Sequence, residues 1–207
     1  SANLAGADNN TVVGYNSGPA ITSGDSNTIL GAVSATALTT GTDNIFIGKG
    51  AGDATVDVDR ATVVGRAACQ SNMTSDADGT VAIGYAAGAS ITSAVGSVAI
   101  GYQALDAEDD GDFCTAVGYQ ALTAQTGTSG EVANTAVGYQ SGLAITKGRY
   151  TTTIGFQSLI TEDVGDRTTA IGYQSLYSQN SDSDNEITGN TAVGFSSGYQ
   201  NVTGQNN

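Results

Sequence analysis

The chain of 207 residues has no histidine and no tryptophan, one proline, and only six lysines and arginines against twenty acids. Without histidine it lacks the commonest general base and the commonest zinc ligand, which excludes a histidine-dependent triad or zinc hydrolase. The net charge of −14 argues against nucleic acid or anionic lipid as partners, because lysine and arginine supply the neutralising charge for both. Two cysteines, Cys69 and Cys114, make neither a disulfide framework nor a four-thiolate metal site. No run of 18 apolar residues is present, so no membrane-inserted helix is expected, and no signal peptide is visible. The start at Ser1 is that expected of a processed product or a piece of something longer. Charged residues make up 13% and apolar residues 39%, enough of the latter to bury a core.

What is abundant is glycine, 29 residues, and it is periodic. A short aliphatic run ends in glycine eleven times, at Gly14, Gly31, Gly48, Gly65, Gly84, Gly101, Gly118, Gly138, Gly155, Gly172 and Gly194. Seven of the ten intervals are 17 residues, and the other three only add residues. A fixed period of this length is the mark of a repeat array. The residue before each glycine is always branched aliphatic, and the one two earlier is threonine in eight repeats. Between them, on the opposite side of a strand, stand Val12, Ile29, Phe46 and Val63, and then Ala82, Ala99, Ala116, Ala136, Ala170 and Ala192, with Thr153 interposed. Both faces of the strand are therefore apolar and both need a partner. The threonine and aliphatic side is assigned to the core. That assignment, with no second threonine column five residues before the glycines, excludes an ice-binding face. Three residues after each glycine only alanine or serine occurs, marking a closely packed second layer.

A unit of 17 residues is too short for a helical crossover but accommodates two short strands and two bends. The expected fold is all-β: one domain over residues 1–207, a parallel β-solenoid or β-roll of about eleven 17-residue coils. At about 4.8 Å per coil it is a rod of roughly 50 Å.

The runs Asn134–Gln140 (NTAVGYQ) and Ser97–Gln103 (SVAIGYQ) resemble the head repeats of trimeric autotransporter adhesins, and similar repeats of phage tail fibres. The resemblance extends from about Asn9 to Ser197, with a longer repeat than the adhesin heads have. It implies a left-handed, homotrimeric β-roll whose subunits pack through the alanine-bearing strand face. Ala82, Ala99, Ala116, Ala136, Ala170 and Ala192 then become the trimer interface. The implied function is a structural and adhesive extracellular fibre segment, in a virion tail fibre or receptor-binding rod. The alternatives are a passenger segment of a bacterial trimeric surface adhesin and a purely architectural spacer.

Eight glycines are followed by an aromatic residue, and five of these by glutamine, Gln103, Gln120, Gln140, Gln157 and Gln174. Mutual stacking coil on coil is favoured over a sugar-binding array, since a ligand would not require the pair at every coil. The acids between Asp106 and Asp112 read as a solvated edge rather than a calcium loop, and no metal or cofactor is expected. Both thiols read as structural, separated by three coils or roughly 14 Å, beyond disulfide reach. No acid pair stands beside a base in register, so no enzyme is expected. The three longer intervals should emerge as loops on one edge. The longest carries Tyr177, Gln179, Asn180, Asp182, Asp184 and Glu186, assigned as contacts for a host-surface glycan or protein.

Overall fold

The computed structural model describes residues 6–127, 130–184 and 186–207. Among them, eleven three-residue strands, from Thr11–Val13 to Thr191–Val193, form one parallel sheet in chain order. Register is strict: Thr115 faces Thr135, Ala116 faces Ala136 and Val117 faces Val137, and every other step pairs the same way. The chain is a parallel β-solenoid whose repeat is the 17-residue coil read from the glycine spacing.

Among the described residues the second expected strand is reduced to one two-residue pair, Gly111–Asp112 beside Gly130–Glu131, and most coils have none. In its place the backbone turns through left-handed residues two and four positions after each glycine, such as Gln103 and Leu105, or Gln120 and Leu122. Another left-handed residue stands five before the glycine, as at Phe113 and Ala133. These turns stack by hydrogen bonds between coils, as strands do: Gln120 N–H donates to Tyr102 O at 2.9 Å and Leu105 N–H to Ala121 O at 3.0 Å.

The recurring glycine has φ between +124° and +150°, and its neighbour one coil on is extremely close. A Cβ on Gly118 would stand 2.7 Å from the carbonyl carbon of Gly138 and nearer still to its oxygen. No side chain fits, which is why the column never varies.

The alanine column faces inward. Ala82, Ala99, Ala116, Ala136, Ala170 and Ala192 are all buried within this single chain, so they are not an inter-subunit surface. The cause is an exchange of volume across a narrow core. In the early coils the central strand residue is large and the residue four after the glycine is small, as with Phe46 and Gly52. A Cβ at Gly52 would run into the Phe46 ring. From Ala99 onward the relation reverses at most coils: Leu105, Leu122, Leu159 and Leu176 are buried at the latter position, where alanine, or once Thr153, stands in the strand. Left-handed leucine costs roughly 1–2 kcal/mol, an amount offset by the roughly 1.5–3 kcal/mol of burying its side chain. The serines three after the glycine tighten the same core; Ser158 Oγ donates to Ala170 O and Ser175 Oγ to Ala192 O, at 2.9 and 3.0 Å.

Because the alanines point in, threonine and the aliphatic before each glycine point out, opposite to expectation. Val13, Leu30 and Val193 are 56%, 47% and 65% exposed.

Gly118→Ala should lower stability in urea by about 3 kcal/mol or more, from backbone strain plus overlap with the next coil. Gly194→Ala, with no atom within 4 Å of the added Cβ, should cost roughly half that. Equal losses would show that the approach between coils is not the constraint.

Candidate functional site

The outer face of the sheet is a strip two side chains wide running over all eleven coils. One row is mainly threonine, the other entirely valine, leucine and isoleucine, and no residue of these eleven strands is charged. Beyond the glycine column stands the aromatic row. Seven rings, Tyr85, Tyr102, Tyr119, Tyr139, Phe156, Tyr173 and Phe195, stack with centroids 5.0–5.3 Å apart and planes within 14°. Beside them the glutamines join into a ladder: Gln120 Nε2 donates to Gln103 Oε1 at 3.3 Å, and the series continues to Gln174 and Gln157 at 3.0 Å. Within the stack ring faces and amides are spent on one another, which is the stacking expected from the repeat; Tyr15 and the outer end of the stack at Phe195 stay exposed.

No family model, curated protein or solved structure matches this chain.

The loop assigned as a receptor contact is divided by the structure. Asn180, Asp182 and Asp184 are exposed, and Asp184 pairs with Lys147 at 2.7 Å. Glu186 accepts the Asp182 N–H at 2.9 Å and is also bonded by Gln205. Tyr177 is half-buried and stacked on Tyr199 at 4.8 Å. Gln179 is no surface residue. It is buried and its Oε1 accepts from Asn190 Nδ2 and Asn201 Nδ2 at 2.7 and 2.8 Å. It occupies the inward position filled by Ile91 and Ile145 in other coils. Among the described residues the three longer intervals carry the 3-10 turn Ser75–Ala77, the two-residue strand Gly130–Glu131 and the Asp166–Ile187 bridge.

A buried asparagine column, four residues before the glycine, was not assigned from sequence. Asn44 Nδ2 donates to Asn27 Oδ1 at 3.0 Å and to Val58 O at 2.7 Å, while Asn44 Oδ1 accepts the Ala61 N–H at 2.8 Å. Each amide thus replaces a coil-to-coil backbone bond inside the core. The signal was present as the N of NTVVG at Asn10 and of NTAVG at Asn134 and Asn190. The edge acids work alike: Asp59 Oδ1 accepts the Thr42 N–H at 2.7 Å, and Asp112 Oδ1 the Val95 N–H at 2.8 Å.

Two glutamates stand at the inward position of Gln179. Glu162 is satisfied by backbone N–H groups and by Ser181 Oγ at 3.0 Å on Oε2. Glu108 Oε1 accepts the N–H groups of Asp109, Asp110 and Gly111, yet its buried Oε2 has no partner among the described residues. The residue corresponding to Ser181 there is Gly127, which has no hydroxyl to offer. Burial pushes the Glu108 carboxyl up to about 7, against the lowering effect of its three N–H donors. Its carboxyl lies within 4.8 Å of those of Asp109 and Asp110, a group able in principle to hold a cation. Both cysteines are free and buried, and burial raises each thiol to about 12, so neither is poised to react.

A folded-state pKa raised above the unfolded value stabilises below the unfolded pKa, and that stability is lost as pH rises through the folded one. Urea stability should therefore fall by about 2 kcal/mol between about pH 5 and pH 8, and Glu108→Gln should remove most of that slope. A wild-type profile flat over this interval would show that Glu108 ionises without cost. Both thiols should resist labelling until the chain unfolds; rapid native labelling of Cys69 would contradict its place in the core.

Proposed function

We propose that this chain is a structural and adhesive segment of an extracellular fibre, in which copies pack side by side through the outer face of the sheet. The observation carrying this reading is the row of branched aliphatics on the outer face, half-buried or exposed at every one of eleven coils and without a charge in those strands. An apolar strip of that length is unusual on an isolated soluble surface and is characteristic of a contact between subunits. The interface is thus moved from the alanines to the valine, leucine and isoleucine row. The repeat resemblance supports three copies and a virion fibre as the setting, with a surface-adhesin passenger as the alternative setting. The stacked rings and amides stiffen the rod, and the longer intervals fall outside the packing strands.

A second reading is favoured by one observation, the outward row Thr115, Thr135, Thr152, Thr169 and Thr191 in exact pairing register. Methyl and hydroxyl groups so repeated suit ordered water, as at an ice surface. The lack of a second threonine row still counts against it, since the neighbouring outward row is valine, leucine and isoleucine.

Sedimentation should show a trimer for the unmodified chain. Val117→Asp should yield a folded monomer, because its side chain lies on the surface of each chain. Ala116→Glu should instead unfold the coil by burying an unpaired charge. A monomer in the unmodified chain would refute the packing reading, and with inhibition of ice recrystallisation it would establish the second.

A further inference from the structure

Six basic residues serve a chain of net charge −14, and two of them stand in adjacent coils where most other coils carry a ring. Lys49 and Arg66 follow Gly48 and Gly65, with backbones about 4.8 Å apart. Among the described residues neither is in an ion pair, whereas Arg60 and Lys147 are held by Asp78 and Asp184. Arg66 lies over the terminal ring of the aromatic stack, its guanidinium carbon 5.6 Å from the Tyr85 centroid. The other face of that ring is covered by Tyr102. The arginine is thereby held in place before any ligand arrives.

Beside the two cations is a hollow of about 210 Å³, lined also by Val33, Gly50, Ala67, Asp53 and Gln70. Its origin is a departure from the repeat. Two after the glycine, later coils place the glutamines of the amide ladder, and in one of them Gln103 reaches across to Asp106 at 3.4 Å. Coils three and four place Gly50 and Ala67 there, so the same groove stands open. Its far wall is Asp53, whose carboxylate already accepts from the Thr36 hydroxyl, and the exposed Gln70.

The geometry points to a binding site for one carboxylate-bearing sugar residue, of the uronic-acid class, between Lys49, Arg66, Asp53 and Gln70. Two cations on one wall call for an anion, and the planar guanidinium suits a carboxylate. Asp53 opposite disfavours a compact dianion such as phosphate, but accepts hydroxyl hydrogens, as the Gln70 amide also can. The hollow is smaller than drug-sized pockets of roughly 300–1,000 Å³, which matches a single ring. This gives the adhesive reading a ligand class and rests on it for biological use only. The hollow lies within one chain, so its failure leaves the packing reading untouched.

The test is titration of the intact protein with sodium glucuronate, glucose and inorganic phosphate, followed by amide chemical shifts. Glucuronate should bind saturably, shifting Lys49, Gly50, Arg66 and Gln70. Lys49→Met and Arg66→Met should each weaken it by about tenfold or more. Arg167→Met should leave it unchanged, although Arg167 also covers a ring, Tyr150, at 5.9 Å. Binding unaffected by Lys49→Met and Arg66→Met, or glucose binding as well as glucuronate, would overturn the site. Phosphate binding as tightly as glucuronate would overturn the sugar assignment and leave a simple anion patch.

Discussion

The structure depends on one close approach, that of each recurring glycine to the carbonyl of the glycine in the following coil. Nothing larger than hydrogen fits between Gly118 and Gly138, and the backbone there holds a φ that L side chains avoid. Everything else takes its register from that point. The strand before it pairs residue for residue, the ring after it lands on the ring of the next coil, and the glutamine beyond meets its counterpart. An array so built is stabilised coil by coil through nearest neighbours. Departures at single positions, such as Lys49 and Arg66 in the ring column, are accommodated locally without disturbing the stack.

Inside, the core is thin enough that volume has to be exchanged between its walls. Phe46 opposite Gly52, and alanine opposite Leu105 or Leu122, are two solutions of one packing condition. Polar groups within it are held in ladders: asparagines carry bonds that the turns interrupt, and Glu162 is closed off by Ser181. Glu108 is one exception among the described residues. Its unsatisfied oxygen follows from a glycine in place of that serine, and it ties the rod's stability to pH.

The coil, its period and its parallel stacking were legible because glycine spacing survives every substitution between. Ring and amide ladders were legible for the same reason, since a column repeated at every coil has itself as neighbour. Which strand face is the core was not. Both faces are apolar, and alanine suits a narrow interior as well as a tight contact between subunits. The deciding partners, Leu105, Leu122, Leu159 and Leu176, occupy left-handed turn positions where leucine is unfavourable, so their inward role is hidden in a linear reading. Gln179 was misplaced for a related reason: a polar residue in a loop-like stretch reads as surface, while its partners Asn190 and Asn201 lie 11 and 22 residues away. The hollow beside Lys49 was visible only as missing glutamines, and its meaning needed the groove that the glutamines fill elsewhere.

Hydrogen exchange at the amides of the glycine column tests the central claim most directly. Each after the first donates to the residue before the preceding glycine, as Gly118 N–H does to Ile100 O at 2.7 Å. If the approach of coil to coil at glycine locks the array, these amides in the central coils are among the slowest to exchange. A Gly118→Ala change should then accelerate exchange chiefly in the adjoining coils and spare the distant ones. Fast exchange along the glycine column of the unmodified protein, with slow exchange elsewhere, would contradict it.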